Sequence, residues 1–182
     1  MSLDALDLLL KNYNDLLERV DTHVKMVTER YRDHIACKKG CDACCRFLNL
    51  FPVEAFALSR AFLALPETDQ ARILEQIERE EDKCPLLINR ACLLYKARPV
   101  ICRTHGFPLY LQKEEGPMVD FCPENFKGMT ELPKEAMMNL DQLNTLLTAV
   151  NQHFMANMEA DLPDRIPVSQ ALFLCRGLTE ED

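Results

Sequence analysis

Apolar residues recur every three or four positions along the first part of the chain, which places them on one face of a helix. The positions on this face are Leu3, Leu6, Leu10, Tyr13, Leu17, Val20, Val24, Val27 and Tyr31. Lys38 and Gly40 follow, and cations and glycine are common where helices end. The pattern therefore predicts one long amphipathic helix over residues 3–36.

Four further helices are predicted downstream. Pro52 suits a first helical position, so a helix is expected over 53–65, and Pro66 opens another over 67–81. A long amphipathic helix is predicted over 133–159, and a short one over 169–175 that Gly177 ends. Residues 84–130 are irregular, although 109–111 and 118–121 flank Glu115-Gly116 and could pair as a short β-hairpin.

The predicted fold is mainly α, even all-α: a helical bundle with an irregular cysteine-rich metal-binding subregion. The length favours a single domain over 1–182, with a long N-terminal helix at 1–36, a cysteine-cluster region at 37–126 and C-terminal helices at 131–182. The two long amphipathic helices could pair in a homodimer, but packing on each other within one chain is the favoured interpretation. With no apolar run of membrane-spanning length and an acidic start, the chain is predicted to be cytoplasmic, with no membrane partner.

Eight of the nine cysteines lie between residues 37 and 122, and a cytoplasmic cluster of this kind more often binds metal than forms disulfides. The odd number of cysteines and the adjacent pair Cys44-Cys45 also fit disulfides poorly. The sequence thus predicts metal, either zinc or an iron–sulfur cluster, on thiolates. The expected ligands are Cys37, Cys41, Cys44, Cys45, Cys84, Cys92, Cys102 and Cys122. Cys175 lies on an apolar helical stretch and is expected in the core.

The spacing divides these ligands into two sets along the chain. The four from Cys37 to Cys45 are separated by short gaps and could converge on one metal, with Gly40 allowing a tight turn. The other four, from Cys84 to Cys122, are far apart and would have to be gathered by the fold. Two sites, one multinuclear site, or one site with redox-active spare thiols all remain open.

The charge distribution bears on partners and on the environment of the metal. A net charge of −8 argues against nucleic acid as a partner. Residues 83–113 nevertheless contain six basic and no acidic side chains, so the rest of the chain has a net charge of −14. These cations could offset the negative charge of metal-bound thiolates or hold an anionic substrate.

Two arginines and one histidine lie close to Cys102 in the sequence. Arg98 and Arg103 could donate to thiolate sulfur, could hold an anionic substrate, or could bond loop carbonyls in a structural role. His105 could be a zinc ligand, but a structural role is favoured.

Several motifs recur in order. They are Cys37 to Cys45 followed by Arg46, then Cys84-Pro85-Leu86-Leu87, then Cys92-x2-Tyr95-x2-Arg98-Pro99-x2-Cys102-Arg103. On these motifs, residues 37–126 resemble the YkgJ-type cysteine-cluster family, a CxxCxxCC zinc- or iron-chelating domain, and also part of the flagellin lysine N-methylases. The first gap is three residues here and two in that motif. The resemblance implies metal binding by the matching cysteines and only weakly implies a reaction.

Three functional hypotheses follow. The first is a metal-binding module with a structural or metal-handling role. The second is an iron–sulfur oxidoreductase or a cluster-assisted protein-modifying enzyme. The third is a helical interaction protein in which the metal only stabilises the fold. The sequence assigns no catalytic residue and does not decide whether the protein is an enzyme.

Overall fold

The computed structural model describes residues 1–38, 40–79, 83–158 and 160–178. Half of the structure is helical and 13% is strand, so the fold is α-rich but mixed. The prediction of an all-α chain is wrong, and a helical bundle is not confirmed. Within the described residues, no helix combines the length and the apolar composition that crossing a membrane requires.

The N-terminal part forms two helices where one over 3–36 was predicted. They are α1 (Leu3–Leu9) and α2 (Lys11–Arg30), followed by a 3-10 turn at Arg32–His34. The amide of Phe126 donates to the carbonyl of His34, at 2.6 Å, and the Ala36 amide donates to the side chain of Asn125. These long-range bonds take the place of helical ones, so the helix ends at Arg30 and does not continue to residue 36.

Two helices follow as the sequence predicted, α3 (Pro52–Leu63) and α4 (Glu67–Arg79). Residues 80 and 81, the predicted end of α4, lie outside the described residues. The cysteine-cluster region then contains β2 (Leu87–Ile88), β3 (Ala91–Cys92), a 3-10 turn at Tyr95–Ala97 and α5 (Val100–Thr104). The hairpin expected around Glu115-Gly116 is confirmed and is longer than predicted, with β4 (Leu109–Lys113) paired to β5 (Gly116–Asp120).

The predicted helix over 133–159 begins later. A 3-10 turn at Lys134–Ala136 and strand β6 (Met138–Asn139) precede α6 (Leu140–Ala156), because β6 pairs in parallel with β4. The side chain of Asn139 caps α6 by accepting the Gln142 amide at 2.9 Å. Residue 159 lies outside the described residues.

The C-terminal segment closes against the start of α3. Strand β7 (Ile166–Pro167) pairs with β1 (Asn49–Leu50), and α7 (Val168–Ala171) is shorter than the helix predicted over 169–175. Cys175 is fully buried, as expected, and its amide donates to the Ser59 hydroxyl at 2.9 Å.

Three apolar clusters form the core. The first joins α1, α2, α3 and α6, so the two long helices do pack against each other within one chain. The second joins α3 and α4 to the segments around Leu86, Leu94 and Ile166. The third is smaller and lies at the C-terminal end of α2, with Val27, Phe107, Phe126 and Ala136. Homodimer formation through the long helices remains a prediction.

One buried polar contact ties α6 to the start of α3. The Val53 amide donates to Oδ1 of Asn151 at 3.1 Å. Asn151→Ala leaves this amide buried without a partner, so we expect the free energy of unfolding to fall by about 1–2 kcal/mol in urea denaturation. Asn144, exposed on the same helix, is the matched control, and Asn144→Ala should change stability by less than about 0.5 kcal/mol. Equal effects of the two substitutions would contradict this role for Asn151.

Candidate metal centre

The cysteines of the predicted set lie on separate pieces of the chain. Four occupy the loop of residues 35–46 between α2 and β1, hereafter the N-terminal cysteine loop. Cys84 precedes β2, Cys92 is on β3, Cys102 is in α5 and Cys122 follows β5. All eight are free thiols in the structure. The fold brings these five pieces close enough for their thiols to interact.

Two tight turns shape the N-terminal cysteine loop. The Cys41 amide donates to the Lys38 carbonyl at 2.9 Å, and the Cys45 amide donates to the Asp42 carbonyl at 3.0 Å. Arg46 then forms an antiparallel bridge with Lys83. This bridge places Cys45 beside Cys84, although the two are far apart in the sequence.

A first thiol group forms around Cys37. Burial raises the pKa of the Cys37 thiol, and the negative charges that Cys41, Cys122 and Cys44 acquire on ionisation raise it further, while a hydrogen bond from Asn125 lowers it. Gly106 gives independent evidence that Cys37 and Cys122 converge. A Cβ at Gly106 would lie 3.3 Å from the Cys37 sulfur and 3.5 Å from the Cys122 Cβ. The first group is therefore Cys37, Cys41, Cys44 and Cys122.

Asn125 holds this first group together. Its fully buried side chain accepts the Ala36 amide at 2.8 Å and donates to the Gly106 carbonyl at 2.7 Å. It also donates to the Cys37 sulfur at 3.4 Å. The Asn125 amide donates to the Cys122 carbonyl at 2.9 Å. One side chain thus joins the loop that carries Cys37 to the turn that carries Cys122.

A second thiol group forms around Cys102. Burial raises the pKa of the Cys102 thiol to about 12, with further increases from Cys84, Cys92 and Cys45 and an opposing effect of Arg98. Burial likewise raises the pKa of Cys45 to about 12, and Cys44, Cys84 and Cys92 add to this. The second group is Cys45, Cys84, Cys92 and Cys102, and Cys44, whose thiol interacts directly with that of Cys45, connects it to the first group.

Backbone amides point at two sulfurs of the second group. Burial raises the pKa of Cys84 to about 11, against hydrogen bonds from the Leu86 and Leu87 amides that lower it. Burial also raises the pKa of Cys92, and a bond from the Leu94 amide and the charge of Arg98 oppose it. Hydrogen bonds from backbone amides to sulfur stabilise the thiolate. They therefore favour the ionised form of Cys84 and Cys92, which is the form that binds metal.

The two arginines predicted near the site have different roles. Arg98 lies close enough to Cys92 and Cys102 to lower both pKa values, while its guanidinium donates to the Tyr95 and Cys102 carbonyls. Arg103 is buried and donates to the Arg98 and Lys96 carbonyls and to Asp21 on α2. Both therefore bond loop carbonyls, and donation to a thiolate remains a prediction for each. His105, weighed as a zinc ligand, is exposed.

A buried carboxylate positions the helix that carries Cys102. Glu54 on α3 accepts the Val100 amide at the start of α5 at 3.1 Å and the Phe51 amide at 3.2 Å. Burial raises the pKa of Glu54, and these two hydrogen bonds oppose the increase. Neither Glu54 nor Asn125 was predicted from the sequence. Neither lies in a motif, and the only local signal for Asn125 is its place three residues after Cys122.

The two groups differ from the two sets along the chain, because Cys45 and Cys122 exchange places. The sulfurs affect one another's pKa values within each group, and Cys44 and Cys45 do so between the groups. However, in the described parts of the chain no three or more His, Cys, Asp or Glu side chains are already arranged to hold a metal ion. A metal would therefore have to draw the sulfurs of a group closer together. The donor set, four thiols per group, is the one that zinc and iron–sulfur clusters both take.

Comparison with known proteins gives one match. Residues 36–123 match the model of the CxxCxxCC family, described as "Putative zinc- or iron-chelating domain". The matched segment is slightly less than half of the chain and contains all eight cysteines of the two groups. No curated protein and no solved structure matches the chain. The resemblance noted from the sequence motifs is thereby confirmed over this segment.

The central position of Asn125 can be tested by Asn125→Ala. This substitution leaves the Ala36 amide and the Gly106 carbonyl without their buried partner, so we expect the metal-free protein to lose about 2 kcal/mol of unfolding free energy. Chemical denaturation under reducing, chelating conditions measures it. The exposed neighbour Glu124 is the control, since Glu124→Ala removes only a surface pair with Lys127. A stability equal to that of the control would argue against the role of Asn125.

Proposed function

We propose that the CxxCxxCC-family segment of this protein, residues 36–123, binds two metal centres, one on each thiol group. The observation that carries the proposal is geometric: Cys37 and Cys122 converge on Gly106, and the bridge between Arg46 and Lys83 brings Cys45 beside Cys84. The family match supports chelation of zinc or iron. Four thiolates complete a tetrahedral zinc site and leave no open position, which is the property of a structural site.

In this proposal Cys37, Cys41, Cys44 and Cys122 hold the first centre, and the second group holds the other. The bound metal supplies a covalent-like cross-link between distant segments. Such a cross-link would stabilise the N-terminal cysteine loop, because the described residues of this loop form only turns and a single β-bridge. Metal binding would then contribute directly to the folding of this side of the molecule. The function is that of a metal-binding module in which metal fixes an irregular surface.

Charge supports metal on the second group in particular. A divalent ion with four thiolates has a net charge of about −2. Arg98 acts on Cys92 and Cys102, and the basic side chains Arg46, Lys83 and Arg90 lie around Cys45. These cations offset the negative charge that metal-bound thiolates would bring into a half-buried region.

A second candidate function rests on the exposure of the first group. Cys37, Cys41 and Cys44 are exposed, whereas all four thiols of the second group are half-buried. A centre on the first group would be within reach of a partner or a reductant, as an iron–sulfur oxidoreductase or a cluster-assisted protein-modifying enzyme requires. Brown protein with broad visible absorption and inorganic sulfide after anaerobic purification would favour this candidate. Colourless protein with stoichiometric zinc would favour the first.

The chemistry of the site also indicates the compartment and the partners of the protein. Eight free thiols suit a reducing compartment, so we place the protein in the cytoplasm. The partner that the site chemistry defines is the metal ion. Because the chain is acidic, we do not propose nucleic acid as a partner.

Metal stoichiometry tests the two-centre proposal. At saturating zinc, the wild-type chain should bind two ions. Cys84→Ser and Cys122→Ser should each bind one, because each substitution removes a ligand from a different group. Cys175→Ala changes a buried cysteine outside both groups and should keep both ions. Elemental analysis after desalting measures the count. Loss of both ions in each serine variant would instead indicate a single multinuclear centre.

The raised thiol pKa values give a pH dependence. Because the pKa values of Cys45, Cys84 and Cys102 are about 11 to 12, these thiols keep their protons near neutral pH in the metal-free protein. Metal binds thiolate, so binding must release these protons and affinity must rise with pH. We expect the Cys122→Ser variant, with only the second group intact, to release about four protons per zinc ion. Titration with a pH indicator in weak buffer measures this number, and fewer than about three would mean that a thiol of this group is not a ligand.

A further inference from the structure

Two neighbouring residues belong to different thiol groups. Cys45 lies beside Cys84 of the second group because of the Arg46–Lys83 bridge, while Cys44 contacts Cys45 and also affects the Cys37 thiol of the first group. Consecutive Cα atoms are about 3.8 Å apart, so an ion that fixes the Cys45 sulfur also restricts the position of Cys44. The two centres therefore share one short piece of backbone.

The turn between Cys84 and Cys92 of the second group has an unfavourable backbone conformation. Strands β2 and β3 form a two-residue hairpin between Cys84 and Cys92, in which Ile88 pairs with Ala91. Both central residues have positive φ, 49° at Asn89 and 61° at Arg90. Such turns favour Asn-Gly, because glycine takes this conformation without the steric penalty of about 1 kcal/mol that other residues meet. Arginine is therefore an unfavourable residue for position 90 on local grounds.

The side chain of Arg90 supplies a reason for its presence. Its Nε donates to the carboxylate of Asp42 at 3.2 Å. Asp42 lies between Cys41 and Cys44 in the N-terminal cysteine loop. The strained residue of the second group's hairpin thus holds the loop that carries most of the first group. Arg90 and Asp42 line the same cavity beside Cys45 as Arg46 and Lys83, so this ion pair and the Arg46–Lys83 bridge lie close together.

We propose that the two centres are coupled, so that metal on one group raises the affinity of the other, and that Arg90 is a positioning residue that carries part of this coupling. The inference rests on the proposed two-centre function. Metal on the second group orders Cys45 and the 89–90 turn, and through Cys44 and Asp42 this order passes to the first group. Since coupling between two binding sites is reciprocal, metal on the first group favours the second equally.

The substitution Arg90→Gly separates coupling from stability. It removes the contact with Asp42 and at the same time creates the preferred Asn-Gly turn, so the metal-free protein should be as stable as wild type or more stable. The Arg90 side chain is largely exposed (72%), so its ion pair has a modest effect. We expect the first group to bind Co²⁺ about fivefold more weakly in Arg90→Gly.

The Co²⁺ affinity of the first group is measured by titrating the full-length, metal-free chain under anaerobic conditions. Thiolate-to-cobalt absorption is the signal, and a chelator is the competitor. The fivefold loss should occur when the second group is filled. It should largely disappear when Cys84→Ser and Cys92→Ser together disable that group, because the turn then has no metal to order it. Asp42→Asn should weaken the first group as Arg90→Gly does, and combining both should add little. Arg79→Gln, which removes another exposed arginine paired with Glu75, is the charge control and should have no effect.

Two results would overturn the coupling. One is an Arg90→Gly chain that binds both Co²⁺ ions as tightly as wild type. The other is a loss at the first group that is equal with and without a functional second group, since that would be a local effect. Binding of fewer than two ions by the wild-type chain is a different outcome, because it would remove the two-centre function itself and the coupling with it.

Discussion

The N-terminal cysteine loop depends on hydrogen bonds that other segments make to it. Asn125 holds the end at Ala36 and Cys37, and the bridge between Arg46 and Lys83 holds the other end. Between them the described residues form turns, whose own hydrogen bonds do not fix where the thiols point. The positions of four sulfurs therefore follow from contacts at the two ends of the loop and from the ion pair of Asp42 with Arg90 near its middle.

The apolar core is largely independent of these thiols. Cys175 belongs to the first of the clusters that join the helices, and of the other described cysteines Cys84 and Cys92 pack against the second. In the metal-free state, burial favours neutral thiols in the second group, so these do not place a set of repelling negative charges beside the core. The helices should therefore stay folded when metal is removed, and Asn125 should still hold the end of the cysteine loop at Ala36. The helical core is thus stable without metal, and metal binding acts mainly on the N-terminal cysteine loop.

Much of the local structure could be predicted from the sequence, and the failures have physical causes. Helices α3 and α4 follow from proline positions and apolar spacing, and the hairpin around Glu115-Gly116 follows from its turn residues. The end of α2 and the late start of α6 could not be predicted, because pairing with Phe126 and with β4 decides them. Asn125 and Glu54 were missed for the same reason, since their importance comes from partners more than 40 residues away.

The membership of the thiol groups shows what sequence spacing leaves out. Short gaps suggest that Cys37 to Cys45 form one set, but the bridge between Arg46 and Lys83 brings Cys45 beside Cys84, while Cys44 remains in contact with Cys45. In the structure Cys45 joins the distant cysteines and Cys122 takes its place beside Cys37. With sequence-local sets, each stretch could close around its own ion without the other. The exchange means that each group draws ligands from both stretches, so neither centre can be completed until the rest of the fold has brought those stretches together.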